Sequence, residues 1–325
     1  MAFRRHSRRI WLALAAWVFA APALAADTLR VAVLKTGTFA WEIAVAKARG
    51  FDKASGLDVA MQELASPEAG EIALQGGATD MIVSDWLWVA RERALGDDLL
   101  FTPYSTALGA VMAPKDSPIA SLADLKGKSI GVAGGPIDKN WLMLRALALR
   151  SGIDLVRQAQ PEYGAPPLIA AKLAQGETDS ALEFWNFCAS LEARGFRRAI
   201  EMSDVEKALG AKGPVALTGY VFKADFARGH AEALRRFFKM LAKARAALND
   251  DAQAWASIRA RVGAKDDASF AIYRRRYLEG APNRPVAEQA ADARALFRAI
   301  AAIGGATLTG GAKDLDPAAF YDPGL

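Results

Sequence analysis

Apolar and polar positions along the chain switch repeatedly between a short extended pattern and a helical one. Leu29 to Leu34 is a short apolar run with β-branched members, the pattern of a buried strand. A loop over Lys35 to Ala40 follows, then a helix from Trp41 to about Arg49. Gly50 and Gly56 punctuate the passage into a second strand, Leu57 to Leu64. Ser66-Pro67-Glu68 opens the next helix with a cap, a proline at the first helical position and an acid in the first turn. That helix stops at Gly76-Gly77, and Asp80 to Val83 reads as a third strand. The order β-α-β-α-β calls for a parallel sheet with helices on its faces.

A second series begins after Pro114 and Pro118. Ser121 to Asp124 forms a capping box on a short helix, Ser129 to Ala133 is a strand, and Asp138 caps a helix over Lys139 to Arg150. A helix from Pro166 to Gln175, a strand over Ser180 to Phe184, a helix to Arg194 and a strand near Ala199 to Met202 complete it. Two small sheets joined twice fit this order better than one large sheet. After Gly213-Pro214, a strand over Val215 to Phe222 returns the chain to the first lobe. Asp225 to Ile303 is mostly helical pattern and is expected to pack around that lobe. The predicted organisation is lobe 1 over 27–114, lobe 2 over 115–213, and a return to lobe 1 over 214–325.

Residues 1–26 change the picture of charge and compartment. Arg4 to Arg9 is a positive stretch, Ile10 to Ala21 is apolar, and Ala23-Leu24-Ala25 is a small-x-small cleavage site. The apolar run is shorter than the ~20 residues a membrane span needs, so export to the periplasm is the expectation. Ser7-Arg8-Arg9-Ile10-Trp11-Leu12 also fits a twin-arginine address, beside the general secretory route. The chain carries 41 Lys plus Arg against 36 Asp plus Glu. Without Arg4, Arg5, Arg8 and Arg9 the balance is 37 against 36, which removes the basic excess that nucleic-acid binding requires.

Few catalytic chemistries remain. Cys188 is the single cysteine, so no internal disulfide forms, and His230 is the only histidine beyond the leader. A zinc site built on several His or Cys ligands is excluded. A Ser-His-Asp arrangement would need His230, which reads as a surface residue at a helix start. Gly127-Lys128-Ser129 lacks the upstream glycine of a phosphate loop and precedes a strand. Gly134-Gly135-Pro136 lacks dinucleotide spacing, and no Gly-x-Ser-x-Gly elbow occurs. Arg274 to Arg276 reads most simply as solvated helix.

Placement supplies the remaining signal. Trp41, Trp86, Trp88, Trp141 and Trp185 all fall just after predicted strands or in the first turns of the following helices. In open parallel sheets that is where ligands bind, although helix-to-sheet core is the plainer role for each indole. Trp86 and Trp185, with polar neighbours, are expected to face each other across a gap between the halves.

The leader, the Lys35-Thr36-Gly37 loop, Ala48 to Val59, Ser121 to Val132 and Leu173 to Ala181 resemble the nitrate, sulfonate and taurine group of periplasmic solute-binding proteins of ABC importers. The likeness runs over roughly residues 27 to 245 in the same order. It implies an α/β, two-lobed periplasmic binding protein fold of type II, each lobe a small mainly parallel sheet flanked by helices, with a ligand cleft between them. Carried over, it implies a cleft formed by Thr36, Gly37, Thr38 and Trp41, by Ser84, Asp85 and Trp86, and by Gly135, Asp138 and Asn140. Glu183, Trp185 and Asn186 close it from the far side, with Thr218 and Tyr220 near the crossover.

Glu42, Asp85, Asp138 and Glu183 then stand against Lys35 and Lys139. Four acids against two bases favour an amine-bearing, zwitterionic or heteroaromatic solute, with a sulfonate or taurine-like one as a further option. A hard cation on Asp85, Asp138 and Glu183 is the weaker reading. The expectation is a monomer with no cofactor and no metal that captures a small solute without chemistry, hinged near Ala113 to Pro118 and Gly213 to Val215, and hands it to an inner-membrane permease. The alternatives are an exported enzyme using Asp85 and Glu183 as acid and base, or a dehydrogenase-associated or sensory binding protein on the same fold.

Overall fold

The computed structural model describes residues 26–35 and 37–324. The expected leader and Thr36 lie outside the described residues. In chain order the strands are β1 (Asp27–Leu34), β2 (Leu57–Leu64), β3 (Ile82–Asp85), β4 (Leu99–Ser105), β5 (Ala110–Ala113), β6 (Ser129–Ala133), β7 (Gln160–Gly164), β8 (Ser180–Glu183), β9 (Arg197–Glu201) and β10 (Thr218–Lys223). The helices are α1 (Phe39–Ala48), α2 (Phe51–Ala54), α3 (Pro67–Gln75), α4 (Trp86–Leu95), α5 (Lys139–Arg150), α6 (Leu155–Gln158) and α7 (Pro166–Gln175). They continue with α8 (Trp185–Glu192), α9 (Met202–Leu209), α10 (Ala224–Gly229), α11 (Ala231–Asp250), α12 (Ala252–Val262), α13 (Asp267–Glu279) and α14 (Val286–Thr309).

These strands form two groups. In the first, β2 and β1 run parallel, a parallel bridge from Val31 to Met81 links them to the β3 side, and β3, β10 and β4 follow in antiparallel order. The second is a five-stranded sheet ordered β7-β6-β8-β5-β9. Its β7, β6 and β8 are parallel, whereas β5 runs against both β8 and β9. The sheets are therefore mixed, and the physical reason is the same in both. Each strand that follows a passage between halves, β5 and β10, enters its sheet from the opposite direction to its neighbours.

Topology also moves a boundary. Ala110 to Ala113 was expected to end the first lobe, yet it is strand β5 of the second sheet, so the first crossing lies between Ser105 and Ala110. That crossing is closely packed. The Thr106 amide donates to the Gly280 carbonyl at 2.8 Å. A Cβ at Gly109 would stand 1.7 Å from the Glu183 carbonyl oxygen, so only glycine allows β5 to start so close to β8. The second crossing, between α9 and β10, contains Gly213 to Val215.

Burial completes the framework. One core holds Trp86, Leu87 and Phe101 of the first half together with Trp141, Leu142 and Met202 of the second. The helix α14 joins them: its Ala293, Leu296, Phe297 and Ile300 are fully buried in that core, and it packs on α4 on one side and on α5 and α9 on the other. The C-terminal helices thus do not all wrap the first half alone. A second core lies between α1, α11, α12 and the first sheet, with Phe39, Trp41, Tyr220, Phe237 and Trp255. A small third core around Ile169, Leu173, Cys188 and Leu191 fills the outer face of the second sheet.

Candidate functional site

Among the helices that begin just beyond the carboxyl ends of strands are α1 after β1 and α4 after β3 in one half, and α5 after β6 and α8 after β8 in the other. Such ends present unpaired backbone amides and a crevice between halves. Asp85 closes the start of α4, its Oδ1 accepting from the Trp88 amide at 2.8 Å, and its Oδ2 takes the Lys139 Nζ of α5 at 2.5 Å. That ion pair joins the two halves directly. Asp138 caps α5 by accepting from the Trp141 amide at 3.2 Å. Ser84 donates to Glu71 Oε1 on α3 at 2.9 Å.

Charges in this region are set by burial. Burial pushes the Glu71 carboxyl up to about 7, aided by the neighbouring Asp85 and opposed by the Ser84 hydroxyl. Burial likewise lifts Asp138 to about 6, against the pull of Lys139 and the α5 amides. Glu183, at the end of β8, is raised to about 9 by burial and holds its proton at neutral pH. Burial disfavours the Lys139 ammonium, but Asp85 outweighs it and keeps that group above its ordinary value. Glu183 Oε2 accepts from the Phe184 amide at 3.3 Å, whereas Oε1 has no partner among the described residues.

An aromatic contact crosses between the halves nearby. The Trp41 and Trp185 rings meet edge to face with centroids 6.2 Å apart, and Tyr277 of α13 lies 5.7 Å from the first and 6.4 Å from the second. Edge-to-face geometry suits the ring quadrupoles. Beside it, Glu192 at the end of α8 takes Arg276 at 2.7 Å and Arg275 at 3.4 Å, fixing α8 along α13.

Several expected cleft residues stand elsewhere. Trp86 does not face Trp185. Its side chain is fully buried in the core that includes Trp141, with Nε1 unpartnered among the described residues, while half-buried Trp185 packs on Trp41 and Tyr277. Trp86, the first residue of α4, turns into the apolar core that α14 also enters. Glu42 is not a cleft acid either. It is buried and ion-paired to Arg245 at 2.7 Å, and accepts from Tyr220 at 2.6 Å and Tyr277 at 2.7 Å. Tyr220 is thereby committed to the core of the first half, beneath an Arg245 guanidinium centred 5.7 Å over its ring.

The other expected residues that are described stand as follows. Thr38, at the start of α1, hydrogen-bonds with the Tyr104 hydroxyl at 2.6 Å. Thr218 stands opposite Asp85 in the β10 to β3 register, and Ser84, Asp85 and Asn140 are buried. Gly37, Gly135 and Asn186 are half-buried and Lys35 is exposed. Glu71, bonded to Ser84, and Tyr104, bonded to Thr38, belong to the same region and have no local sequence signal. Arg245 and Glu42 are 203 positions apart, so only the folded chain brings them together. Among the described residues no three His, Cys, Asp or Glu side chains converge in a way that could hold a metal ion, and no helix is long and apolar enough to cross a membrane.

Two α/β halves joined by two crossings, with helix starts from both meeting at the strand ends, define the periplasmic binding protein fold. A family model described as NMT1/THI5 like matches residues 40–254, and the chain belongs to that family. Solved structures agree on the architecture. The periplasmic aliphatic sulphonate binding protein SsuA from Escherichia coli is 18% identical, aligned over 88% of this chain and 94% of its own, with a TM-score of 0.71. The alkanesulfonate-binding protein SsuA from Xanthomonas axonopodis pv. citri, bound to MOPS, is 20% identical over 91% and 98%, with a TM-score of 0.67. The Candida albicans CA3427 product, described as having the generic periplasmic binding protein fold, is 13% identical over 90% and 93%, at a TM-score of 0.59. No curated protein sequence matched the chain in direct comparison.

Proposed function

We propose that this protein captures a small organic solute in the periplasm, in the crevice between its two halves, and delivers it to an ABC permease. The observation that carries the reading is that side chains of both halves meet at the strand ends, Asp85 with Lys139 and Trp41 with Trp185. The meeting place of the halves, with the Trp41 and Trp185 indoles beside it and with Asp85 and Asp138 against Lys139, favours an amine-bearing, zwitterionic or heteroaromatic solute. The sulfonate-binding proteins named above share the fold, which keeps a taurine-like zwitterion within the class.

Capture works by closure: contacts made simultaneously with both halves are available only in the closed form, so the solute shifts the population toward it. The rival reading as an enzyme is less favoured by the geometry. Asp85 is occupied by a helix cap and an ion pair, and Glu183 is buried and protonated, so neither is poised as a general base. Thermal unfolding with a panel of zwitterions, amines, heteroaromatics and sulfonates tests the reading. One compact chemical class is expected to raise the midpoint, with the solute recovered unchanged. Failure of the whole panel to protect, or turnover of a protecting solute, would refute it.

A further inference from the structure

Lys139 stands in surroundings with an excess of carboxyl groups. Its ammonium meets Asp85 at 2.5 Å, the adjoining Asp138 caps the same helix, and Glu71 reaches the site through Ser84. Among the described residues, Asp85 is the one carboxylate that this ammonium, with three N–H donors, meets at contact distance. Two deeply buried side chains in the same region keep an oxygen without a partner among the described residues. Asn140, the next residue of α5, is 5% exposed and Glu183 is 1% exposed, and Asn140 Oδ1 and Glu183 Oε1 have no hydrogen-bond partner among the described residues. Glu183 lies close enough to Asp138 for the two carboxyls to interact electrostatically. A Cβ placed at Gly134 would lie 3.1 Å both from Asp138 Oδ2 and from the ring of Phe184, the residue after Glu183. Buried acceptors without donors are costly and are retained where a donor arrives with a ligand.

We propose that Glu71, Asp85, Asp138, Asn140 and Glu183 form a subsite for a primary ammonium group, and that Lys139 occupies it with its own ammonium until a solute displaces it. This rests on the solute-binding reading above and narrows it to solutes carrying a compact cation. Lys139 is suited to the part because it sits on a flexible four-carbon stem with three donors and is 27% exposed, so it can swing out. Asp85, freed of Lys139, would take the incoming ammonium, and Glu71 would serve as the further acceptor that no local pattern in the sequence marks.

The test uses the full mature protein, with ethylammonium chloride as the probe and potassium chloride at equal ionic strength as the control. In Lys139→Ala the subsite loses its resident cation. Ethylammonium is then expected to raise the unfolding midpoint in a saturable way, at a half-saturating concentration about tenfold or more below that for the unaltered protein. Adding Glu71→Gln to Lys139→Ala should raise that concentration again by about tenfold, the effect of losing one charge-assisted acceptor. If Lys139→Ala does not fold, Lys139→Gln takes its place. No saturable response, an equal response to potassium, or indifference to Glu71→Gln would overturn the proposal. The outcome is separable from the wider reading, because a panel that protects the unaltered protein while ethylammonium leaves Lys139→Ala unmoved removes the subsite and keeps the capture function.

Discussion

A carboxyl whose burial outweighs the pull of any nearby cation binds its proton more tightly in the folded chain than in the unfolded one, and this gives the protein a definite response to pH. Glu183 moves from 4.5 to about 9, Glu206 from 4.5 to about 8 and Glu71 from 4.5 to about 7, each through burial. Between the two values of each group the folded state holds more protons than the unfolded one. Stability therefore falls as pH rises, the reverse of a salt-bridged carboxylate. The melting temperature is expected to decline from about pH 5 to about pH 9. Glu183→Gln removes one contributor, and a gain of about 2–4 °C at alkaline pH, with little change at acid pH, is the expected calorimetric result. Glu206→Gln, away from the crevice, should flatten the same curve without affecting solute protection.

At the scale of the element, two helix starts of the same kind do different work. Trp86 opens α4 and is sealed in the core against α14, so Trp86→Ala should cost about 3–5 kcal/mol in urea unfolding. Trp185 opens α8, is half-buried and meets Trp41 of the other half, so Trp185→Ala should leave stability closer to that of the native chain while weakening solute protection. The sequence places both indoles correctly after their strands but ranks them alike, because flanking polar residues say nothing of which tertiary partner lies opposite. Strands bounded by Gly and Pro and capped helices were legible for the same local reasons that stabilise them, as Ser66 accepting from the Ala69 amide at 3.3 Å illustrates. The strands β4, β5 and β7 were not read. β5 has only four residues, and its membership in the second sheet is decided by pairing with β8 and β9, far away in the chain. Glu42 shows the same limit at the site: a polar residue among apolar ones looks available until Arg245, Tyr220 and Tyr277 arrive from other elements.

Across the whole molecule, α14 ties the halves into one framework. Because a single apolar core includes α4, α5 and α14, the halves should not melt independently. Calorimetry is expected to give one transition whose van't Hoff and calorimetric enthalpies agree, and two resolved transitions would contradict the shared core. Opening of the crevice then has to take place on the side away from α14, where the contacts are the ion pairs of Asp85 with Lys139 and of Glu192 with Arg275 and Arg276, together with a few rings, and not a continuous core. The meeting of Trp41 and Trp185 has a practical consequence. Two indoles held nearly perpendicular at 6.2 Å couple their electronic transitions, and separation of the halves uncouples them. The unlabelled polypeptide thus carries an intrinsic optical gauge, readable by near-ultraviolet circular dichroism, that distinguishes the shut state from the ajar one in real time.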